Sequence, residues 1–248
     1  MSENCAPVLA YCFLPAEQAK PVGTVETVTA EDLWWGLEGS RRPIDALRSA
    51  QRPAAACIVL RTAHSGRLAE EPRYLCSTER TIVALADATE LLHELGCFWA
   101  EEALNLVERY GAKVDPCSRA GIAAKRAWLR REIGCRDLAA ARAAAYAPTT
   151  ERGVRASAIY PWTPDTFPSA SIFPHAAYAA TGAFPCDAAW RAAEAAAYVA
   201  AHVAAFDAAR RAGRDLMIAE QYDDARRAAR GRQNVELERR LRALLHAA

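Results

Sequence analysis

Apolar positions recur at alternating three- and four-residue steps from the cap candidates Ser77 and Thr78 to Gly111: Ile82, Leu85, Thr89, Leu92, Gly96, Trp99, Ala103, Leu106 and Tyr110. That spacing lays one buried stripe along a long core helix. A turn at Lys113-Val-Asp-Pro116 leads into a basic helix over 118–134, with Ile122, Trp128, Leu129 and Ile133 on its inner side. Asp137 then caps a short alanine helix ending at Tyr146. The pattern resumes where Asp187 caps a helix through Ala212, followed by a second piece over 215–230. Asn234 caps a terminal helix whose apolar side is Leu237, Leu241, Leu244 and Leu245.

Elsewhere the periodicity fails. Pro7, Pro15 and Pro21 exclude regular helix from the first thirty residues, and Val22–Thr29 reads as one short strand or an extended arm. A helix beginning at Ala30 is interrupted by Gly36, Gly39 and Pro43 and resumes through Ile44–Arg48. The apolar block 54–62 is helix or strand, with pairing to the valine-threonine stretch as the alternative to an all-helical chain. Residues 148–186 hold six prolines among aromatics, the composition of a binding loop, lid or insertion. The expected fold is therefore all-α, a multi-helix orthogonal bundle over 78–248 that carries the 148–186 loop insertion. An irregular N-terminal region with short helices, 1–77, precedes it.

Composition sharpens this picture. Alanine, the best helix former, fills roughly a quarter of the 248 residues, while glycine numbers 12. With 31 basic and 30 acidic residues the net charge is +1, so no global field holds a polyanion and a nucleic-acid partner is not expected. No uncharged apolar run is long enough for a membrane span, and the first residues lack a secretory pattern. A cytoplasmic chain is expected, its eight widely spaced cysteines reduced and mostly buried.

Candidate chemistry is sparse. His93, Cys97 and Glu101 stand at steps of four, but no second Cys/His pair accompanies them, so no metal and no cofactor is expected. Glu94 and Glu101 instead belong to an acidic stripe (Asp87, Glu90, Glu94, Glu101, Glu108) that is either a solvated face or a partner-binding surface. Glu194, Tyr198 and His202 also stand at steps of four, a row able to pass a proton, although Phe206 continues it as a packed aromatic ridge. Nucleotide-binding glycine loops, a nucleophile elbow and a zinc-protease helix are all missing, so no catalytic residue is assigned.

The segments Leu95-Gly-Cys-Phe-Trp-Ala-Glu-Glu-Ala-Leu-Asn-Leu-Val-Glu-Arg-Tyr110 and Asp115-Pro-Cys-Ser-Arg-Ala-Gly-Ile-Ala-Ala-Lys-Arg-Ala-Trp-Leu-Arg-Arg-Glu-Ile133 resemble the alanine-rich, all-helical bacterial immunity proteins. Ala201-His202-Val203 and the closing helix from Arg232-Gln233 to Leu245 are similar as well. The resemblance covers 95–147 and 187–246 and implies a non-catalytic, partner-binding role such as neutralising a toxin, with no catalytic residues to carry over. Trp162, Phe167, Phe173, His175 and Tyr178 of the proline-aromatic segment, with Glu94 and Glu101, are then the candidate binding residues. The alternative is an enzyme or small-ligand protein whose pocket lies under 148–186, with His175, Tyr178, Glu194, Tyr198 and His202 as its polar groups.

Overall fold

The stretches Ile58-Val-Leu-Arg-Thr62 and Thr81-Ile-Val83 are rich in β-branched residues, and Pro72 lies between them. They belong to the two arms of a long hairpin, where such side chains pack well on a pleated surface. The computed structural model describes residues 6–33, 37–50, 54–110, 114–156, 172–213 and 219–248. Among these are β1 (Val8–Pro15), β2 (Val25–Thr27), β3 (Leu37–Gly39), β4 (Cys57–Glu70) and β5 (Leu75–Asp87), all pairing antiparallel. Their order is β1-β4-β5-β2, and β3 pairs with β5 beside β2. Just past β3, Ser40 exchanges both backbone hydrogen bonds with Tyr11 of β1, at 2.7 and 2.9 Å. The ladder β1-β4-β5-β3 thereby closes into a ring.

The all-α expectation is overturned by this sheet. The region 1–77, expected to be irregular, contains β1–β4 and the start of β5, and the stretch read as the first turns of the long helix is β5. A bulge produced the misreading: Thr62 pairs with Ile82 and Arg61 with Ala84, so Val83 is the extra residue. It brings Ile82 and Leu85 to the same side of the strand at a helix-like step of three. A second irregularity lies between Ser65 and Leu68, where Gly66 has φ +73°; a Cβ there would collide with Thr78 Oγ1, which accepts the Arg67 N–H.

Helices α1 (Pro43–Ser49), α2 (Thr89–Arg109), α3 (Pro116–Leu129), α4 (Cys135–Ala156), α5 (Ile172–Ala180), α6 (Pro185–Arg211) and α7 (Ala219–Ala247) complete the described residues. The 148–186 loop expectation is corrected at both ends, since α4 runs to Ala156 and α5 begins at Ile172. Asn234, expected to cap the last helix, lies inside the continuous α7, and its Oδ1 accepts the Ile44 N–H at the start of α1 (3.2 Å). No helix among the described residues is long and apolar enough to cross a membrane.

The chain divides into two compact units. One comprises 1–91, 184–187 and 234–248: the sheet, α1 and the last turns of α7, whose Leu237 and Leu241 are fully buried with Tyr11, Leu47, Val59 and Leu60. The other, 92–183 and 188–233, is helical, with α3, α4 and α5 packed on one another. Its core is largely alanine, with Leu95, Trp99, Leu104 and Ile122 as the larger side chains. Small side chains let helix backbones approach closely, as where a Cβ on Gly121 would meet the Ala145 Cβ at 3.2 Å.

Candidate functional site

Inside the sheet unit a polar row crosses the apolar ring. His64 is fully enclosed, with Nε2 3.0 Å from Thr62 Oγ1 and Nδ1 2.8 Å from Ser77 Oγ. Burial, and then the nearby Arg80, pushes the imidazole pKa down to about 4, so the ring is neutral near pH 7. Ser77 gives its own proton to the Glu79 carbonyl at 2.7 Å, a closer acceptor than the Ala10 carbonyl is to the Thr62 hydroxyl (3.3 Å), so Nδ1–H donates to Ser77 and Nε2 takes the Thr62 proton. A nucleophilic serine would donate to the histidine instead, and Ser77 is as enclosed as His64. This Ser–His contact is therefore architectural. Gly39 seals it: a Cβ there would lie 2.7 Å from His64 Nε2 and 3.0 Å from the Ala10 Cβ. Gly39→Ala is expected to cost roughly 1–3 kcal/mol as overpacking. An unchanged denaturation midpoint would mean that the ring yields freely.

On the same face of the sheet a cleft of about 420 Å³ opens beside β1 and α1, lined by Cys12, Leu14, Gln18, Glu38, Ser49 and Arg80 among others. Arg80, nearly enclosed, is held by Glu26 Oε2 (2.8 Å to Nε and 2.5 Å to Nη2) and by the Glu38 carbonyl (3.0 Å). Burial alone would raise the Glu26 pKa, but hydrogen bonds from Lys20 and Arg80 outweigh it and keep the carboxylate ionised. Cys12, 4.0 Å from Arg80, is pushed up by burial against the pull of that cation and is no activated thiolate.

The rim of this cleft is a strand edge. Because Tyr11 bonds outward to Ser40, the alternation of an antiparallel ladder also turns the Phe13 N–H and C=O away from β4. The antiparallel Tyr11–Ser40 bridge sets Glu38 of β3 in the position opposite Phe13, yet no backbone hydrogen bond joins the two, and the cleft opens between them. The cleft therefore has a short run of unpaired backbone along one side and side-chain pockets beneath it.

In the helical unit, Glu94 and Glu101 do not form an open acidic face. Arg126 of α3 binds Glu101 through both terminal nitrogens, one at 2.7 Å, and comes within 4.0 Å of Glu94. Arg119 likewise binds Glu108 and Asn105, so the stripe on α2 is a seam of ion pairs to α3. Glu194 is bound by Arg226 (2.9 Å) and Arg230. Tyr198 and His202 stack 4.1 Å apart with Tyr222 at their edges, and His202 Nδ1–H donates to the Tyr198 carbonyl. The row is an ion pair followed by an aromatic cluster. Tyr178 lies under the Arg142 guanidinium at 4.5 Å. Trp162 and Phe167 lie outside the described residues, as do the side chains of Phe173 and His175, whose backbone belongs to α5.

His93 and Cys97 also part company. His93 meets the Trp128 ring edge-on, whereas burial pushes the Cys97 thiol up to about 12. Among the described residues no group of three His, Cys, Asp or Glu side chains is placed to hold a metal ion. The cleft residues Cys12, Glu38 and Arg80 were missed because Arg80 and Cys12 are 68 positions apart and meet only through strand pairing. No protein-family model matches the chain, and no curated protein or solved structure is similar to it.

Proposed function

We propose that this chain is a non-catalytic binding protein that takes an extended segment of a protein partner against the unpaired Phe13 backbone of β1, in the cleft between β1 and β3. The carrying observation is the outward-facing Phe13 backbone above a cleft of about 420 Å³. An added strand would satisfy those backbone groups, and its alternate side chains would enter the cleft. The histidines support a non-catalytic reading, since His64, His93 and His202 are buried, His246 is exposed near the end of α7, and none of these lines the cleft. The resemblance of the helical segments to immunity proteins supports partner capture, with a toxin as the partner class.

A displayed library of short extended peptides tests the reading. Selected peptides are expected to bind at least tenfold more weakly to Ser49→Trp, in which an exposed cleft residue becomes a bulky plug, as measured by fluorescence polarisation. Equal binding to both proteins would place the peptide elsewhere and end the reading.

A further inference from the structure

Two of the cysteines meet inside the sheet unit. Cys57 is the first residue of β4 and Cys186 the second of α6, both are buried, and their Sγ atoms lie 2.7 Å apart. Two unbonded sulfurs do not rest so close, and a shift of about 0.7 Å would bring them to a disulfide length of about 2.05 Å. Among the described residues no other two cysteine sulfurs are in such contact. Both residues belong to the same compact unit, although the chain between them builds most of the other. We infer that Cys57 and Cys186 form a disulfide that fastens the segment 184–187 to the start of β4.

The chemistry balances with a small-molecule disulfide such as oxidised glutathione as the electron acceptor. One cysteine thiolate attacks a glutathione sulfur, forming a mixed disulfide and expelling a glutathione thiolate. The second cysteine loses its proton, attacks the protein-bound sulfur and expels the other glutathione. Two electrons pass from the cysteine sulfurs to the oxidant, and the two cysteine protons end on the two glutathione thiols. The contact with Cys186 and then burial raise the Cys57 thiol far above its ordinary range, so the folded dithiol attacks slowly. The bond therefore forms while the chain folds, and once formed it is shielded from reductant.

The test refolds the full chain in mixed oxidised and reduced glutathione, and separately in dithiothreitol. After denaturation, the glutathione sample is expected to titrate two fewer thiols than its eight cysteines supply, and mass spectrometry to find the peptides of Cys57 and Cys186 joined. Its Tm is expected to exceed that of the reduced sample by about 5 °C or more, because a long loop is closed in the unfolded chain. Cys57→Ser and Cys186→Ser are each expected to abolish that difference. Should either variant fail to fold, the peptide map of the unaltered chain still decides. Eight free thiols after oxidative refolding, a different linked pair, or the same Tm in both samples would overturn the proposal.

Discussion

Acidification from pH 6.5 to about pH 4 is expected to remove on the order of 3 kcal/mol of stability through His64 alone. Its folded pKa, about 4, lies below the ordinary 6.5 because the ring is enclosed and faces Arg80. Through that window the unfolded chain binds a proton that the folded chain refuses. The contribution is thus complete above pH 6.5 and is lost as pH falls toward 4. Urea denaturation at pH 7.5, 5.5 and 4.5 measures it. His64→Gln keeps an acceptor for Thr62 and a donor for Ser77, so it should flatten the dependence even if it lowers stability at neutral pH. An equally steep fall in that variant would assign the acid sensitivity elsewhere. His93, pushed down to about 3 by burial and Lys125, adds a slope of the same sign in the helical unit.

Trp99→Ala is expected to cost roughly 3–5 kcal/mol, since the indole is fully enclosed and its removal leaves a large cavity among small neighbours. A change below about 1 kcal/mol in chemical denaturation would contradict that burial. Trp128 serves differently. It is half-buried, and its ring carries the Lys125 ammonium 4.0 Å above its centre. Lys125 is itself fully buried, its other partner is the Gly182 carbonyl at 3.0 Å, and burial lowers its pKa to about 8. Trp128→Ala should therefore be less damaging in a Lys125→Met background than alone, because no buried ammonium is left without its aromatic face. A double-mutant cycle with no coupling would sever the two.

These residues also indicate what the sequence could convey. The stripe on α2 was legible because Leu92, Trp99 and Ala103 obey one local period and are all buried, and Leu237 and Leu241 on α7 likewise. The sheet was not legible, since β1, β2 and β3 find their partners tens of residues away and the Val83 bulge gave β5 a helix-like spacing. The same limit governed the sites. Glu101 reads as a free acid on its helix, but its partner Arg126 stands 25 positions on, while Glu26 and Arg80 are separated by 54. Spacing along one helix reports which side chains share a face and says nothing of what crosses to meet them.

The bond from Asn234 to Ile44 has a consequence for the order of synthesis. Residues 1–91 leave the ribosome before α7, yet α1 receives that partner, and Tyr11 meets Glu238, only after about 150 further residues have followed. Leu237 and Leu241 arrive equally late. During that interval the nascent sheet carries an apolar face without its cover, open to chaperones and to other unfinished chains. Completion of the sheet unit thus waits on a helix made well after its strands, and a chain cut short before Asn234 would be left in that exposed condition.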